Sequence, residues 1–131
     1  MPRYDGAEVP PKILARLRAL CLALPGAYEE PAWVGTRWMV RKRTFAHVLT
    51  IYRGRPAAYA RAAGSEGPLV VMTVRAARPA HDALCAKGRP YFHAAWGTKW
   101  GAQVVGIRLE GRIKWAEIAS VIAASYAQLA K

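Results

Sequence analysis

Apolar residues recur with helical spacing in two segments of the chain, one near each end. In the first segment they follow one another at intervals of three and four residues, which is typical of a helix with one buried face: Ile13, Leu14, Leu17, Leu20, Cys21 and Leu24. Pro10 and Pro11 suit the first turn of this helix, and Pro25-Gly26 ends it. The second segment predicts a final helix with the same kind of apolar face: Trp115, Ile118, Ala119, Ile122, Tyr126 and Leu129.

The middle of the chain predicts β-strands. Apolar, β-branched and aromatic residues indicate strands over residues 33–34, 37–41, 44–52, 69–74 and 103–109. A tight basic turn around Lys42-Arg43 joins the second of these strands to the third. In the strand over 44–52, alternation places one set of residues on a common face, which we expect to be the buried one: Phe45, His47, Leu49 and Ile51.

Helical and irregular segments complete the order of elements. Residues 79–87 predict a short helix, with Pro79 near its start and Gly88 just past its end. Residues 54–67 predict a loop with room for one helical turn at 57–63, and residues 90–101 predict an irregular, aromatic segment. The order α-β-β-β-β-α-β-α predicts an α+β fold, in which helices pack on a single antiparallel sheet within one domain over residues 1–131.

Positive charge is concentrated in one part of the chain. Lys and Arg number 20 against 8 Asp and Glu, which gives a formal net charge of +12. Residues 31–65 contain no acidic side chain but seven basic ones: Arg37, Arg41, Lys42, Arg43, Arg53, Arg55 and Arg61. Five aromatic residues are interleaved with them: Trp33, Trp38, Phe45, Tyr52 and Tyr59. Guanidinium groups pair with phosphates and aromatic rings stack on bases, so this composition favours a nucleic-acid partner. The alternative is that the basic faces only keep a small domain soluble.

The sequence contains no catalytic or cofactor motif that we can identify. A nucleophile elbow, a phosphate-binding glycine loop and a dinucleotide glycine pattern are all missing. His81 and Cys85 stand four residues apart on a predicted helix, a spacing that can hold a metal, but no further His or Cys lies near them in sequence. We therefore expect a binding protein that is not an enzyme and that uses no catalytic residue, metal or cofactor.

Neither a signal peptide nor a membrane span is predicted. The N-terminus has no apolar signal region, and the two cysteines are far apart and indicate reduced thiols. The longest apolar stretch, residues 13–24, is interrupted by two arginines and is too short to cross a bilayer. We expect a cytoplasmic protein without a membrane partner, as a monomer or weak dimer.

Several short motifs, taken in order along the chain, resemble one family. They are LPG at 24–26 followed by EE at 29–30, VRKRTFA at 40–46, PYFH at 90–93, WAEI at 115–118 and SYAQL at 125–129. With these motifs the chain resembles the MmcQ/YjbR family from about residue 10 to residue 129. The resemblance implies a compact α+β fold similar to frataxin-like and secretion-chaperone-like domains, and DNA binding through a double-wing arrangement.

The resemblance also carries individual residues over to this chain. Arg43, Tyr91 and His93 match the family pattern directly. Many members have an Asn-Lys-x-His-Trp run after the histidine, where this chain has AAWGTKW at 94–100. Lys99 and Trp100 stand in for the Lys and Trp of that run, and the contacts of its Asn and His are lost.

Three hypotheses of function follow, from different classes; the third, an enzyme, is disfavoured by the missing catalytic motifs. The first is a nucleic-acid-binding module, with DNA as the first candidate and RNA left open. In it the Arg41-Lys42-Arg43 turn contacts phosphates as a wing, and the footprint extends over Arg37, Arg53, Arg55 and Lys99. The second is a protein that binds a planar aromatic small molecule in an aromatic cleft. That cleft would consist of Trp33, Tyr91, His93, Trp96 and Trp100, with His93 as the polar anchor.

Overall fold

The computed structural model describes residues 8–94, 96 and 103–130. In chain order the elements are α1 (Pro11–Leu22), β1 (Tyr28–Pro31), β2 (Thr36–Val40), β3 (Arg43–Ile51), α2 (Ala57–Ala63), β4 (Leu69–Ala76), α3 (Arg78–Ala86), β5 (Tyr91–Ala94), β6 (Gln103–Arg108) and α4 (Trp115–Leu129). The six strands of the described residues form one antiparallel sheet in the order β1-β2-β3-β4-β6-β5. The predicted α+β fold with helices on a single antiparallel sheet is confirmed.

The first strand lies earlier in the chain than the sequence predicted. β1 is Tyr28–Pro31, whereas Trp33 and Val34 belong to the turn that leads into β2. A hydrogen bond from the Ala32 N–H to the Gly35 carbonyl closes this turn at 3.0 Å. Gly35 has a φ of +78°, and a Cβ on it would lie 2.0 Å from the carbonyl oxygen of Val48. The turn packs so closely on β3 that residues 33–34 cannot continue as a strand.

The segment predicted to be irregular contains a strand, and the predicted helical turn is a helix. β5 pairs with β6 at one edge of the sheet. The Phe92 ring of β5 lies over Gly106 of β6, where an added Cβ would be 2.2 Å from the ring. Residues 57–63, where one helical turn was predicted, form α2. β5 has only four residues, which are too few to show a clear strand pattern in the sequence. The strand is recognised by its pairing with β6.

Different helices pack on the two faces of the sheet. On the face called here the helix side, Leu17 of α1 and Ile122 of α4 share a core with Met72 of β4, and α3 also contacts β4, β5 and β6. On the opposite face, called the open side, Ala60 of α2 packs with Leu49 of β3. α2 reaches β5 and β6 as well, and beside it the open side carries a groove.

A β-bulge in β3 places Phe45 on a different face of the sheet from the one predicted. Trp38 pairs with Ala46, but the next residue of β2, Met39, pairs with Thr44. Phe45 is therefore an extra residue, and its side chain joins Ala46 in the helix-side core. The sequence placed Phe45 on the face of His47, Leu49 and Ile51, which is wrong because the simple alternation is interrupted at this point.

Ser125 of α4 connects the strands at the bulge. Its hydroxyl accepts a hydrogen bond from the Arg75 N–H at 2.8 Å and donates one to the Phe45 carbonyl at 2.6 Å. Ser125 is fully buried, so these two backbone groups depend on it for their partners. The hydrogen bond to the Phe45 carbonyl holds the start of β3 against α4, and β3 contributes residues to the candidate site described below.

Cys21 is buried and Cys85 is partly buried. Cys21 and Cys85 make no disulfide, and burial raises the pKa of Cys21 to about 12, which keeps it a thiol. Within the described ranges none of the helices has both the length and the hydropathy needed to span a bilayer.

Candidate nucleic-acid interface

The turn between β2 and β3 consists of Arg41 and Lys42, one residue earlier than predicted. Val40 pairs with Arg43, so only two residues connect the strands. Both have positive φ angles, 52° and 64°, and both are exposed. Two-residue hairpin turns favour Asn-Gly, and a left-handed conformation costs other residues about 1–2 kcal/mol each. We call Arg41 and Lys42 the hairpin turn.

The basic residues that flank the hairpin turn lie on different faces of the sheet. Arg37 of β2 faces the open side, and its Nη2 donates to Oε1 of Glu30 at 2.8 Å. Arg43 pairs with Val40, whose side chain belongs to the helix-side core, so Arg43 is directed to that face. The hairpin turn itself lies next to the end of α4, because Arg41 Nη1 donates to the Ala130 carbonyl at 3.4 Å.

Arg53 and Arg55 lie at the opposite end of β3. Tyr52 and Arg55 exchange two backbone hydrogen bonds of 3.0 Å across Arg53 and Gly54, which makes a second tight turn. Because β3 has nine residues, its two ends are about 26 Å apart. The structure therefore does not bring Arg53 and Arg55 together with the hairpin turn, and the basic residues of 31–65 do not form one patch.

A groove of about 270 Å³ lies on the open side of the sheet, beside α2. We call it the sheet groove. Strands β2, β3, β4 and β6, helix α2 and the β1–β2 turn all contribute to its lining: Ala32, Trp33, Arg37, Thr44, Phe45, His47, Tyr59, Thr73, Val74, Arg75, Trp96 and Val104. Thr44 links it to the hairpin turn, since only Arg43 separates the two in sequence.

Three polar side chains lie in a row across the sheet groove. Arg37 is opposite His47 in the pairing of β2 with β3, and His47 is opposite Thr73 in the pairing of β3 with β4. The Nε atom of Arg37 is buried and has no hydrogen-bond partner within the described residues. A buried donor without a partner costs about 1–3 kcal/mol. An acceptor on a ligand in the groove would recover that loss.

Both ring nitrogens of His47 contact neighbouring groups. Its Nε2–H donates to the Val34 carbonyl, 2.6 Å away, so Nδ1 accepts from the Tyr59 hydroxyl at 3.3 Å. Burial lowers the pKa of His47, which favours the same uncharged form. Burial also raises the pKa of Tyr59, and the neighbouring Thr73 and Trp96 side chains act in the opposite direction. His47 therefore positions Tyr59 and the β1–β2 turn.

Aromatic and cationic side chains form the walls of the sheet groove. Trp33 is 87% exposed at the tip of the β1–β2 turn. The Trp96 ring packs on the Tyr59 ring, with 4.7 Å between centroids and an angle of 57° between planes. Arg75 of β4 lines the groove with them. Ring faces and guanidinium groups thus lie together in one concave surface.

The other predicted cleft residues do not join Trp33 and Trp96. Tyr91 and His93 of β5 pair with Ile107 and Val105 of the helix-side core, so their side chains lie on the opposite face of the sheet. The Tyr91 hydroxyl donates to Glu117. His93 Nδ1 lies 2.9 Å from His81 Nε2. The polar groups beside Trp33 and Trp96 are instead Arg37, His47, Tyr59 and Arg75.

Two predicted residues, Lys99 and Trp100, lie outside the described residues. No group of three or more His, Cys, Asp and Glu side chains in the described ranges is arranged to hold a metal ion.

Sequence reasoning missed Tyr59, Thr73 and Arg75 as members of the site. Tyr59 comes from α2, and its approach to the sheet depends on long-range packing. Thr73 and Arg75 carried a usable signal, because they are polar residues two positions apart in an otherwise apolar strand. That spacing indicates one strand face that is not covered by the core.

Comparison with known proteins identifies the family. The family model of YjbR matches residues 22–128, which is most of the chain. Searches of curated proteins and of solved structures give no significant match. The match covers the sheet, the hairpin turn and nearly all of α4, in agreement with the resemblance found in the sequence motifs. The chain belongs to the YjbR family.

Proposed function

We propose that the protein binds nucleic acid, with DNA as the first candidate, through the hairpin turn and the adjoining sheet groove. The hairpin turn is the observation that carries this proposal. Arg41 and Lys42 are exposed, and both have a backbone conformation that their residue types disfavour. Backbone strain at exposed positions is expected where the side chains bind a partner molecule. Two adjacent cations suit the phosphates of a nucleic-acid backbone.

The hairpin turn connects β2 and β3, the two strands that contribute Arg37, Thr44 and His47 to the sheet groove, which supports a continuous contact surface. Arg37 and Arg41 are four residues apart along β2, about 13 Å at the spacing of a strand. This length corresponds to roughly four base steps at 3.4 Å each. Trp33 and Trp96 offer ring faces on which an unpaired base can stack. Such contacts fix position and affinity and read little sequence.

The proposal is for a cytoplasmic binding protein without a catalytic step. Both nitrogens of His47, the imidazole of the groove, contact neighbouring groups, Val34 and Tyr59, and we propose no catalytic role for it. Arg53 and Arg55 are left out of the contact surface because of their distance from the hairpin turn.

Two variants that remove equal charge at the two ends of β3 test the proposal. R41Q/K42Q and R53Q/R55Q each lower the net charge of +12 by two. Fluorescence anisotropy of a labelled random duplex, titrated at several salt concentrations, gives the log–log salt slope of each. We expect R41Q/K42Q to reduce the slope by about 1.8, or 0.9 per phosphate contact, and R53Q/R55Q to leave it within 0.5 of wild type. Equal effects of the two variants would contradict a defined interface.

A planar, anionic aromatic small molecule is a second candidate ligand for the sheet groove. The exposed Trp33 ring and the unpartnered Nε of Arg37 favour it, because together they offer a stacking surface and a buried donor. The polar anchors would be Arg37 and Tyr59 in place of His93.

Tryptophan fluorescence tests this second candidate with 2-naphthalenesulfonate as the probe. Saturable quenching that is lost in Trp33→Ala and kept in Trp115→Phe would support it. Linear, unsaturable quenching in the wild-type protein would count against it.

A further inference from the structure

A larger cavity of about 440 Å³ lies on the helix side of the sheet, away from the sheet groove. It opens between the α3–β5 loop, the β6–α4 loop and the first turns of α4. Its apolar lining includes Ile107 and Ile118, which are nearly fully buried, and the half-buried Ile113. The volume is within the range of small-molecule sites, and the apolar lining suits the body of an organic ligand.

Cationic side chains surround the opening of this cavity, which we call the cationic cavity. Two come from the α3–β5 loop, Lys87 and Arg89, and two from the segment before α4, Arg112 and Lys114. A fifth, Arg108, is bound by Glu110 at 2.6 Å and by the Ala63 carbonyl at 2.7 Å. Its charge is therefore already compensated, and the other four determine the charge at the opening.

One carboxylate, Glu117, shows how this surface holds an anion. Lys87 Nζ donates to it at 3.0 Å, and the Tyr91 hydroxyl donates to the same oxygen. The hydrogen bond from Tyr91, with that from Lys87, lowers the pKa of Glu117, and the nearby Lys114 acts in the same direction. Glu117 balances one of the four cations. Arg89 and Arg112 are exposed and make no hydrogen bond or ion pair with any other residue of the described chain.

The start of α4 adds to the positive potential at the same opening. Its N-cap residue, Lys114, makes no side-chain capping bond, and the first intrahelical bond runs from the Ile118 N–H to the Lys114 carbonyl. The amides that precede Ile118 have no intrahelical acceptor. A cation at this end of a helix is unfavourable, and an anion there is favourable. A bound anion would therefore offset both the uncapped amides and the excess of cations.

We propose that the cationic cavity binds a small organic phosphate of about nucleotide size. The phosphate would lie among Arg89, Arg112 and Lys114 at the start of α4, and the apolar body would lie on Ile107, Ile113 and Ile118. A phosphate monoester carries close to two negative charges at neutral pH, which suits an opening with three uncompensated cations. The site is separate from the proposed nucleic-acid interface. It lies on the opposite face of the sheet from the sheet groove, and it lies at the start of the 15-residue helix α4, whereas the hairpin turn is next to the end of that helix.

Isothermal titration calorimetry tests this proposal with AMP, phenyl phosphate and inorganic phosphate as probes. The test variant is R89Q/R112Q, which changes two exposed, unpartnered side chains and keeps the fold. Its matched control is R41Q/K42Q, which removes the same charge at the hairpin turn. We expect saturable one-to-one binding of AMP or phenyl phosphate, at least tenfold tighter than that of inorganic phosphate. R89Q/R112Q should weaken it at least tenfold, and R41Q/K42Q should change it by less than twofold.

Several outcomes would overturn the proposal. They are no saturable binding of either organic phosphate at millimolar concentration, equal affinity for inorganic phosphate, and equal losses in the two variants. In the duplex-binding assay, R89Q/R112Q should keep the wild-type salt slope. A larger loss of slope there than in R41Q/K42Q would assign the cationic cavity to nucleic acid and would contradict a separate small-molecule site. The calorimetric and duplex assays thus distinguish failure of this proposal from failure of the nucleic-acid interface.

Discussion

Replacing Arg41 and Lys42 by Asn and Gly should stabilise the protein and weaken nucleic-acid binding at the same time. Their φ angles of 52° and 64° fit the Asn-Gly preference of a two-residue turn. Relief of left-handed strain contributes about 1–2 kcal/mol per residue, and the greater freedom of Gly in the unfolded chain offsets about 0.5–1 kcal/mol. Because Asn relieves only part of the strain, we expect a net gain of about 1 kcal/mol, or about 4 °C in Tm for a chain of this length.

The same R41N/K42G variant should lose two phosphate contacts. Counterion release alone then predicts a decrease of about 1.8 in the salt slope and a loss of roughly 30-fold in affinity at 0.15 M salt. Thermal unfolding and duplex anisotropy, measured on the same preparation, give both quantities. The control is Arg53→Asn, which creates Asn-Gly in the second tight turn and removes one charge at the far end of β3. It should also raise Tm but should change duplex affinity by less than twofold.

The reasoning would be refuted if R41N/K42G bound duplex as tightly as the wild type. It would be refuted equally if Arg53→Asn lost as much affinity per charge as the double variant, since the attraction would then be general. A lower Tm in R41N/K42G would show that the hairpin turn is not strained by its two basic residues.

Three further predictions concern the framework of the site. Ser125→Ala should lower the free energy of unfolding by about 2–4 kcal/mol, because two buried backbone groups lose their hydrogen-bond partner. The control Ser120→Ala, at an exposed position, should change it by less than about 0.5 kcal/mol. Denaturant titration of both variants measures the difference. Nitrogen NMR should place the proton of neutral His47 on Nε2 and should find its titration midpoint below that of a histidine in the unfolded chain. Burial lowers the pKa of His47 in the folded protein. The contribution of His47 to stability should therefore decrease as pH falls through about 6.5, where the unfolded chain takes up a proton and the folded chain does not. Protonation of His47 in the folded protein near pH 6.5 would contradict this. Gly106→Ala should lower the free energy of unfolding by about 1–3 kcal/mol, because the added methyl group displaces the Phe92 ring. In the double variant with Phe92→Leu, the smaller side chain should recover part of that loss. Thermal unfolding of the single and double variants tests this.

Elements defined by local pattern could be predicted from the sequence. The apolar faces of α1 and α4, and the two strands joined by a short basic turn, depend on residues within one helix or one hairpin. The features that the sequence did not predict correctly depend on contacts between residues that are far apart in the chain. The bulge at Phe45 lies in the pairing of β3 with β2, and β5 pairs with β6 at the edge of the sheet, where the Phe92 ring lies over Gly106. Neither contact leaves a periodic signal in the chain.

The candidate site was predictable only in part, for the same reason. The hairpin turn was found because its charges are consecutive in sequence. The sheet groove brings together Arg37 of β2, Tyr59 of α2 and Arg75 of β4, and no local pattern links these three. Arg53 and Arg55 entered the predicted footprint because they are near Arg41 in sequence, although nine residues of extended strand separate the two turns. Proximity along a strand is a poor guide to proximity on a surface.

The most direct test of the proposed interface is a ¹⁵N NMR titration of the protein with a random-sequence DNA duplex at 0.15 M salt. We predict that the largest amide shifts fall in and beside the hairpin turn, residues 40–44, with smaller shifts along the sheet groove at 36–38 and 73–75. Residues 52–55 at the far end of β3 should not shift. Shifts centred on residues 52–55, or spread evenly over all basic regions, would contradict an interface at the hairpin turn.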